Sequence, residues 1–106
     1  MIARYEIWLV RLDPSEGAEI RKTRPAIVVS PNEMNNALKT VLLCPMTSTR
    51  RGWPTRVETS FQGKAGEIAI DQMRAVDRKR LVKKLGEADQ LTQTALSDRL
   101  LEFFAA

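Results

Sequence analysis

Three short stretches hold the residues whose types and spacing could do chemistry. The first, GAEIRKTRP, brings Glu19, Arg21, Lys22, Thr23 and Arg24 together just ahead of a proline. The second, TSTRRGWP, offers Thr47, Ser48, Thr49, Arg50, Arg51 and Trp53, and the third, DQMR, offers Asp71, Gln72 and Arg74. Hydroxyls, guanidiniums and an aromatic ring are what a single-stranded nucleic acid site uses: charges follow phosphates and the ring stacks on a base. Each also has an ordinary reading. Arg21, Lys22, Arg50 and Arg51 suit solvated loop charges, and Thr47 and Ser48 suit a strand end. Trp53 suits a lid over a barrel end, and Asp71 and Gln72 suit partners for loop amides. Taken together, the pattern favours nucleic-acid binding.

Composition narrows the chemistry further. The 106 residues make one domain, 1–106, with 43% hydrophobic and 28% charged residues, the balance of a soluble globular chain. Seventeen Lys+Arg against 13 Asp+Glu give a net charge of +4, an excess that suits a polyanionic partner. The single cysteine, Cys44 in TVLLCPMT, excludes an internal disulfide and reads as a small buried hydrophobe. With no histidine, the commonest general acid/base and the commonest zinc ligand are both missing. Catalysis must then run on carboxylates, arginine, lysine, hydroxyls and amide dipoles, and no metal or cofactor is expected. No apolar run approaches the roughly 18 residues of a membrane span and the amino terminus lacks a signal-peptide pattern, so no membrane partner and a cytoplasmic location are expected.

The elements that must position these residues are short. YEIWLVRLDP alternates as a strand with apolar side chains on both faces, so it is covered on both sides or curled. PAIVVS is a second strand with Pro25 at its entrance, where a ladder hydrogen bond is least missed. PNEMNNAL reads as a helical turn capped by Ser30 with Pro31 just inside. TVLLCPMT is a strand that Pro45 assigns to an edge or a bulge, TRVETS a fourth strand, FQGKAG a turn and EIAIDQMRAV a fifth strand. Asp77 can cap a single turn at RKRL, and LVKKLG is one more strand. The last segment is a helix with Thr92 as N-cap, a Leu91/Leu96 staple and an apolar face of Leu96, Leu100, Phe103 and Phe104 for core or subunit packing. Short strands followed by one helix give a mainly β (α+β) fold: a small curled antiparallel sheet or barrel with a C-terminal α-helix packed outside.

Along nearly its whole length the sequence resembles the MazF/PemK/Kid toxins of bacterial toxin–antitoxin systems. The resemblance rests on LDPSEGAEIRKTRPAIVVS, with its D-P, G-x-E and R-P-x-x-V-x-S, on Asn35-Asn36, and on PMTSTRRGWP and GEIAIDQMRAVD. Two positions depart from it: Tyr5-Glu6 stands where the family often has G-D, and Lys22 where glycine is common. The resemblance implies an SH3-like barrel with a terminal helix, forming a homodimer. It implies metal-independent cutting of single-stranded RNA at short sequences, leaving a 2′,3′-cyclic phosphate and a 5′-hydroxyl. It also implies inhibition by a cognate antitoxin whose acidic, flexible tail lies along the RNA groove. The family's catalytic arginine falls on Arg24 and its threonine on Thr47, with Ser48 as neighbour. The alternatives from other classes are a gyrase-poisoning toxin of related fold, whose aromatic–small–hydrophobic ending FFAA does not reproduce, and a catalytically silent RNA-binding homologue.

The chemistry is feasible without imidazole. The ribose 2′-hydroxyl attacks the adjacent phosphorus, so proximity is built into the substrate. Arg24 has the planar fork that matches two phosphate oxygens, and a rigid strand behind it would preorganise that charge. A guanidinium stays protonated in proteins, so Arg24 suits an acid or charge stabiliser better than a base. Glu19 is the carboxylate to test as base, the choice between Glu19 and Arg24 staying open, and Thr47 and Ser48 are hydrogen-bond donors to the phosphorane. Arg50, Arg51 and Trp53 are placed for flanking nucleotides, and Arg74 for a phosphate or for Asp71.

Overall fold

Alternating apolar residues dictate a sheet buried on both faces, and the computed structural model, which describes residues 1–106, shows one. Seven strands, β1 (Glu6–Arg11), β2 (Thr23–Val28), β3 (Thr40–Thr47), β4 (Arg56–Phe61), β5 (Lys64–Ala69), β6 (Arg74–Asp77) and β7 (Leu81–Glu87), are joined by two helices, α1 (Asn32–Ala37) and α2 (Gln90–Phe104). The strands run antiparallel in the order β4-β5-β3-β2-β1-β7, with β6 added to β3, and curl into a half-barrel. Successive residues of β2 and β3 feed opposite sides. Ile27, Cys44 and Met46 join Ile7, Ile68 and Leu96 of α2 in one core, while Ala26, Val28, Val41 and Leu43 join Val10 and Leu12 in the other. That is the period of two expected of a pleated strand.

Pro45 does not mark an edge. β3 is the central strand, paired with β2 on one side and with β6 and then β5 on the other. Pro45 falls between Leu43, the last residue paired to β6, and Met46, the first paired to β5, so the lost donor coincides with a change of neighbour. The fifth strand of the sequence reading is likewise two: β5 and β6 are separated by a 3-10 turn at Ile70–Gln72 that redirects the chain. Between β4 and β5 the turn narrows to Gln62 and Gly63, both left-handed at φ 52° and 76°, as a two-residue hairpin requires.

The caps also differ from the sequence reading. Asp89, not Thr92, caps α2: its carboxylate accepts the Thr92 N–H at 2.8 Å, and this hydrogen bond holds its pKa below the ordinary value. Leu91 is left exposed, so no staple forms. Ser30 serves Asn35 and Leu42 instead of the first turn of α1, whose N-cap position is Pro31. Asp77 caps the turn at Arg78–Arg80 as expected, accepting from the Lys79 N–H. Of the apolar face of α2, Leu96 is buried and Leu100 packs against the core, whereas Phe103 and Phe104 lie exposed, edge to face. No helix is long and apolar enough to cross a membrane.

Candidate functional site

The strand register brings together residues that are far apart in sequence. β2 and β3 pair Val28 with Leu43 and Ala26 with Pro45, so continuing that register by two residues sets Arg24 opposite Thr47. On the other side of β3, Thr47 is opposite Glu67 of β5. Residues opposite one another share a face of a sheet, and Arg24, Thr47 and Glu67 all line one concave site of about 250 Å³. Ser48 and Pro25 border it on one side, and Phe61, Gln62 and Lys64 of the β4–β5 hairpin form its far wall.

Arg24 is half-buried in this hollow. Its Nε donates to the Arg21 carbonyl at 3.0 Å, which orients the guanidinium plane. None of the four ion pairs in the molecule involves it, so its charge has no carboxylate partner. Thr47 Oγ1 accepts the Thr49 N–H at 3.1 Å, an arrangement that leaves its own O–H free to donate outward. Ser48 is exposed at the same rim, and its hydroxyl has no hydrogen-bond partner within the chain. Together they present one fixed positive charge and two hydroxyl donors to a single volume.

Gly66 is what lets these strands close. A Cβ there would stand 2.5 Å from the Thr47 carbonyl oxygen, a collision with backbone that no side-chain rotation relieves. Under the floor, Arg56 bridges two carboxylates: Nη1 to Glu67 at 3.2 Å and Nε to Asp71 at 2.7 Å. Burial pushes Glu67 up, but the Arg51 and Gly52 amides and the Arg56 guanidinium outweigh it and hold the group ionised, below its ordinary value. Burial acts on Asp71 in the same sense and is likewise outweighed, by Arg56 and Thr55. Cys44, in the core, is pushed up to about 12 by burial and then by Asp71, which makes it inert as a nucleophile.

The remaining sequence candidates divide by position. Trp53 is 47% exposed rather than a core lid, with the guanidiniums of Arg56 and Arg51 at 4.8 and 5.5 Å from its ring centroid. Arg50 and Thr49 are exposed on the same loop. Glu19 is turned onto its own loop, accepting the Glu16 N–H at 2.7 Å, and does not line the hollow. Arg21, Lys22 and Thr23 are exposed beside Arg24. Gln72 accepts the Ile20 N–H and donates to the Ala18 carbonyl, and Arg74 donates to the Leu12 carbonyl, so both brace the first loop from below. Asp71 serves Thr55 and Arg56. Both departures from the family pattern, Tyr5 and Lys22, sit at left-handed backbone, φ 71° and 70°, the conformation glycine tolerates best. Sequence reasoning missed Gly66, Glu67, Arg56 and the hairpin wall, because only the pairing of β3 with β5 gives them a place.

Comparison with known proteins agrees with this fold. The family described as "PemK-like, MazF-like toxin of type II toxin-antitoxin system" matches residues 3–104. The endoribonuclease toxin MazF of Escherichia coli (strain K12) is 35% identical over 82 residues, covering 72% of this chain and 73% of that protein. The crystal structure of MazF from Deinococcus radiodurans superimposes with a TM-score of 0.83 at 27% identity, over 96% of this chain and 94% of that one. A MazE-MazF crystal structure from the same organism gives 0.71 at 28% identity, over 97% and 94%. The fold and these likenesses agree: the chain belongs to the PemK-like, MazF-like family of type II toxin–antitoxin toxins.

Proposed function

We propose that the chain is an endoribonuclease that cuts single-stranded RNA at short sequences without a metal ion, leaving 2′,3′-cyclic phosphate and 5′-hydroxyl ends. The observation that supports it most is the half-buried Arg24 guanidinium, unpaired and in one hollow with the Thr47 and Ser48 hydroxyls. A scissile phosphate seated there meets a fork for its two non-bridging oxygens and donors for the charge that builds on the phosphorane. The 2′-hydroxyl supplies the nucleophile; its oxygen bonds to phosphorus as the P–O5′ bond breaks, a base takes the 2′ proton, and the Arg24 guanidinium or water gives a proton to the departing 5′-oxygen. Glu19 is the proposed base, a role that requires its carboxylate to leave the Glu16 amide and reach the hollow. Lys64, Arg50, Arg51 and Trp53 border the hollow or its adjoining loop, and we assign them to flanking phosphates and bases.

The proposed partners follow the same chemistry. An antitoxin with an acidic, flexible C-terminal tail would occupy this basic groove in place of RNA. A second copy of the chain would cover Leu101 and Phe104 of α2, which border an apolar groove of about 450 Å³ together with Tyr5 and Met73. The decisive experiment is incubation with a long single-stranded RNA in EDTA. Discrete fragments with cyclic-phosphate ends are expected, and loss of cutting on chelation would overturn the metal-free mechanism.

A further inference from the structure

One buried carboxylate has no part in the bond-breaking chemistry just described. Glu67 is 1% exposed, and it gives one oxygen to each of two consecutive backbone amides. Its Oε1 accepts from Arg51 at 3.0 Å and its Oε2 from Gly52 at 2.9 Å. Two successive N–H groups converging on one anion form a nest, the geometry that proteins commonly offer to phosphate. Here the chain fills the nest with its own side chain, and Gly52 at φ 69° supplies the left-handed step the turn requires. A buried ion pair is weak evidence of stabilisation, because well-packed apolar residues do as well. What an apolar residue at this position could not supply is a grip on two loop amides.

That grip decides where the loop 47–53 sits. The loop is tied at its start by the Thr49 N–H on Thr47 Oγ1, at its middle by Glu67, and at its end by the Arg56 N–H on the Trp53 carbonyl. Glu67 also holds Nη1 of Arg56, whose guanidinium lies 4.8 Å from the Trp53 ring centroid. We propose that Glu67 is a positioning residue that presents Arg51 and Trp53 as a preformed platform for a nucleotide flanking the cut, and so governs which bases are accepted. The proposal rests on the ribonuclease reading above. A platform ordered in advance removes the cost of ordering it on binding, so the effect belongs to substrate affinity and selectivity and not to the chemical step.

Glu67→Gln keeps the size of the side chain but sets an NH2 group against a donor. In this variant KM is expected to rise about tenfold while kcat changes less than about threefold. The map of cut sites on a defined RNA should broaden at a flanking position, and amide exchange at Arg51 and Gly52 should accelerate. An unchanged map with unchanged KM would overturn the proposal, as would a fall in kcat at constant KM. Should Glu67→Gln fail to fold, Gly52→Ala strains the same loop from outside, with nothing within 4 Å of the added methyl; an unbroadened map there also overturns it. Should the wild-type protein cut no RNA, the ribonuclease reading falls. Affinity for an uncleavable 2′-deoxy single strand then decides the present proposal, and equal binding by wild type and Glu67→Gln contradicts it.

Discussion

Arg24 differs from Arg56, the buried arginine under the site, in having no carboxylate within ion-pair distance. Arg56 is neutralised by Glu67 and Asp71, and Arg74 is fastened to a carbonyl, whereas Arg24 has one nitrogen oriented by the Arg21 carbonyl and its charge left uncompensated. An uncompensated, partly desolvated charge attracts an anion far more strongly than a paired one. Arg24→Ala is therefore expected to lower single-turnover cutting by about 100-fold or more, the scale seen when one preorganised donor is removed from a reacting oxyanion. Arg24→Lys should lose most of that activity too, because a single ammonium does not match two oxygens at once. The melting temperature of either variant should stay near that of the wild type, since no ion pair and only one exposed side-chain hydrogen bond is lost. Arg24 and Thr47 were legible in the sequence as candidates, through the R-P and T-S dipeptides of the family resemblance. That they face one another was not, because it follows from the register of β2 on β3.

At the scale of elements, the site is a consequence of strand order. The central position of β3 sets the end of that strand between β2 and β5, and Gly66 allows the closest approach. Gly66→Ala is expected to displace the Thr47 backbone, lowering kcat at least about tenfold while costing about 1–3 kcal/mol of stability, as overpacking against backbone does; unaltered kcat in a folded variant would show that Thr47 need not be held so closely. The sequence placed the strands themselves well because their alternation is local. It read Pro45 in β3 as an edge or a bulge and merged β5 with β6, because pairing partners are non-local and a 3-10 turn leaves no periodic signal. Glu67 and Asp71 also make a pH signature. Both are held ionised below their ordinary values of 4.5 and 3.8, so the stability they contribute is complete above those values and is lost as pH falls through the depressed ones. The melting temperature should therefore drop on acidification below about pH 4.5, and less steeply in Glu67→Gln. Equal slopes for the two proteins would show that the carboxylate is not linked to folding.

At the scale of the molecule, a +4 chain carries a basic hollow on the half-barrel and an apolar helix end elsewhere. Phe104 is 66% exposed and Leu101 70%, more than their size warrants unless another surface covers them. Phe104→Glu is expected to convert a dimer into a monomer in sedimentation equilibrium; a wild-type protein that is already monomeric at micromolar concentration would refute the interface. The sequence foresaw the apolar face of α2 but could not divide it, because which residues meet the core depends on where the helix docks. The central claim concerns the reacting phosphate and is tested most directly there. A radiolabelled single-stranded RNA with one mapped cut site, mixed with excess enzyme in EDTA, should yield a 2′,3′-cyclic phosphate end with wild type and less than about 1% of that rate with Arg24→Lys. Cutting by Arg24→Lys at the wild-type rate would contradict the account.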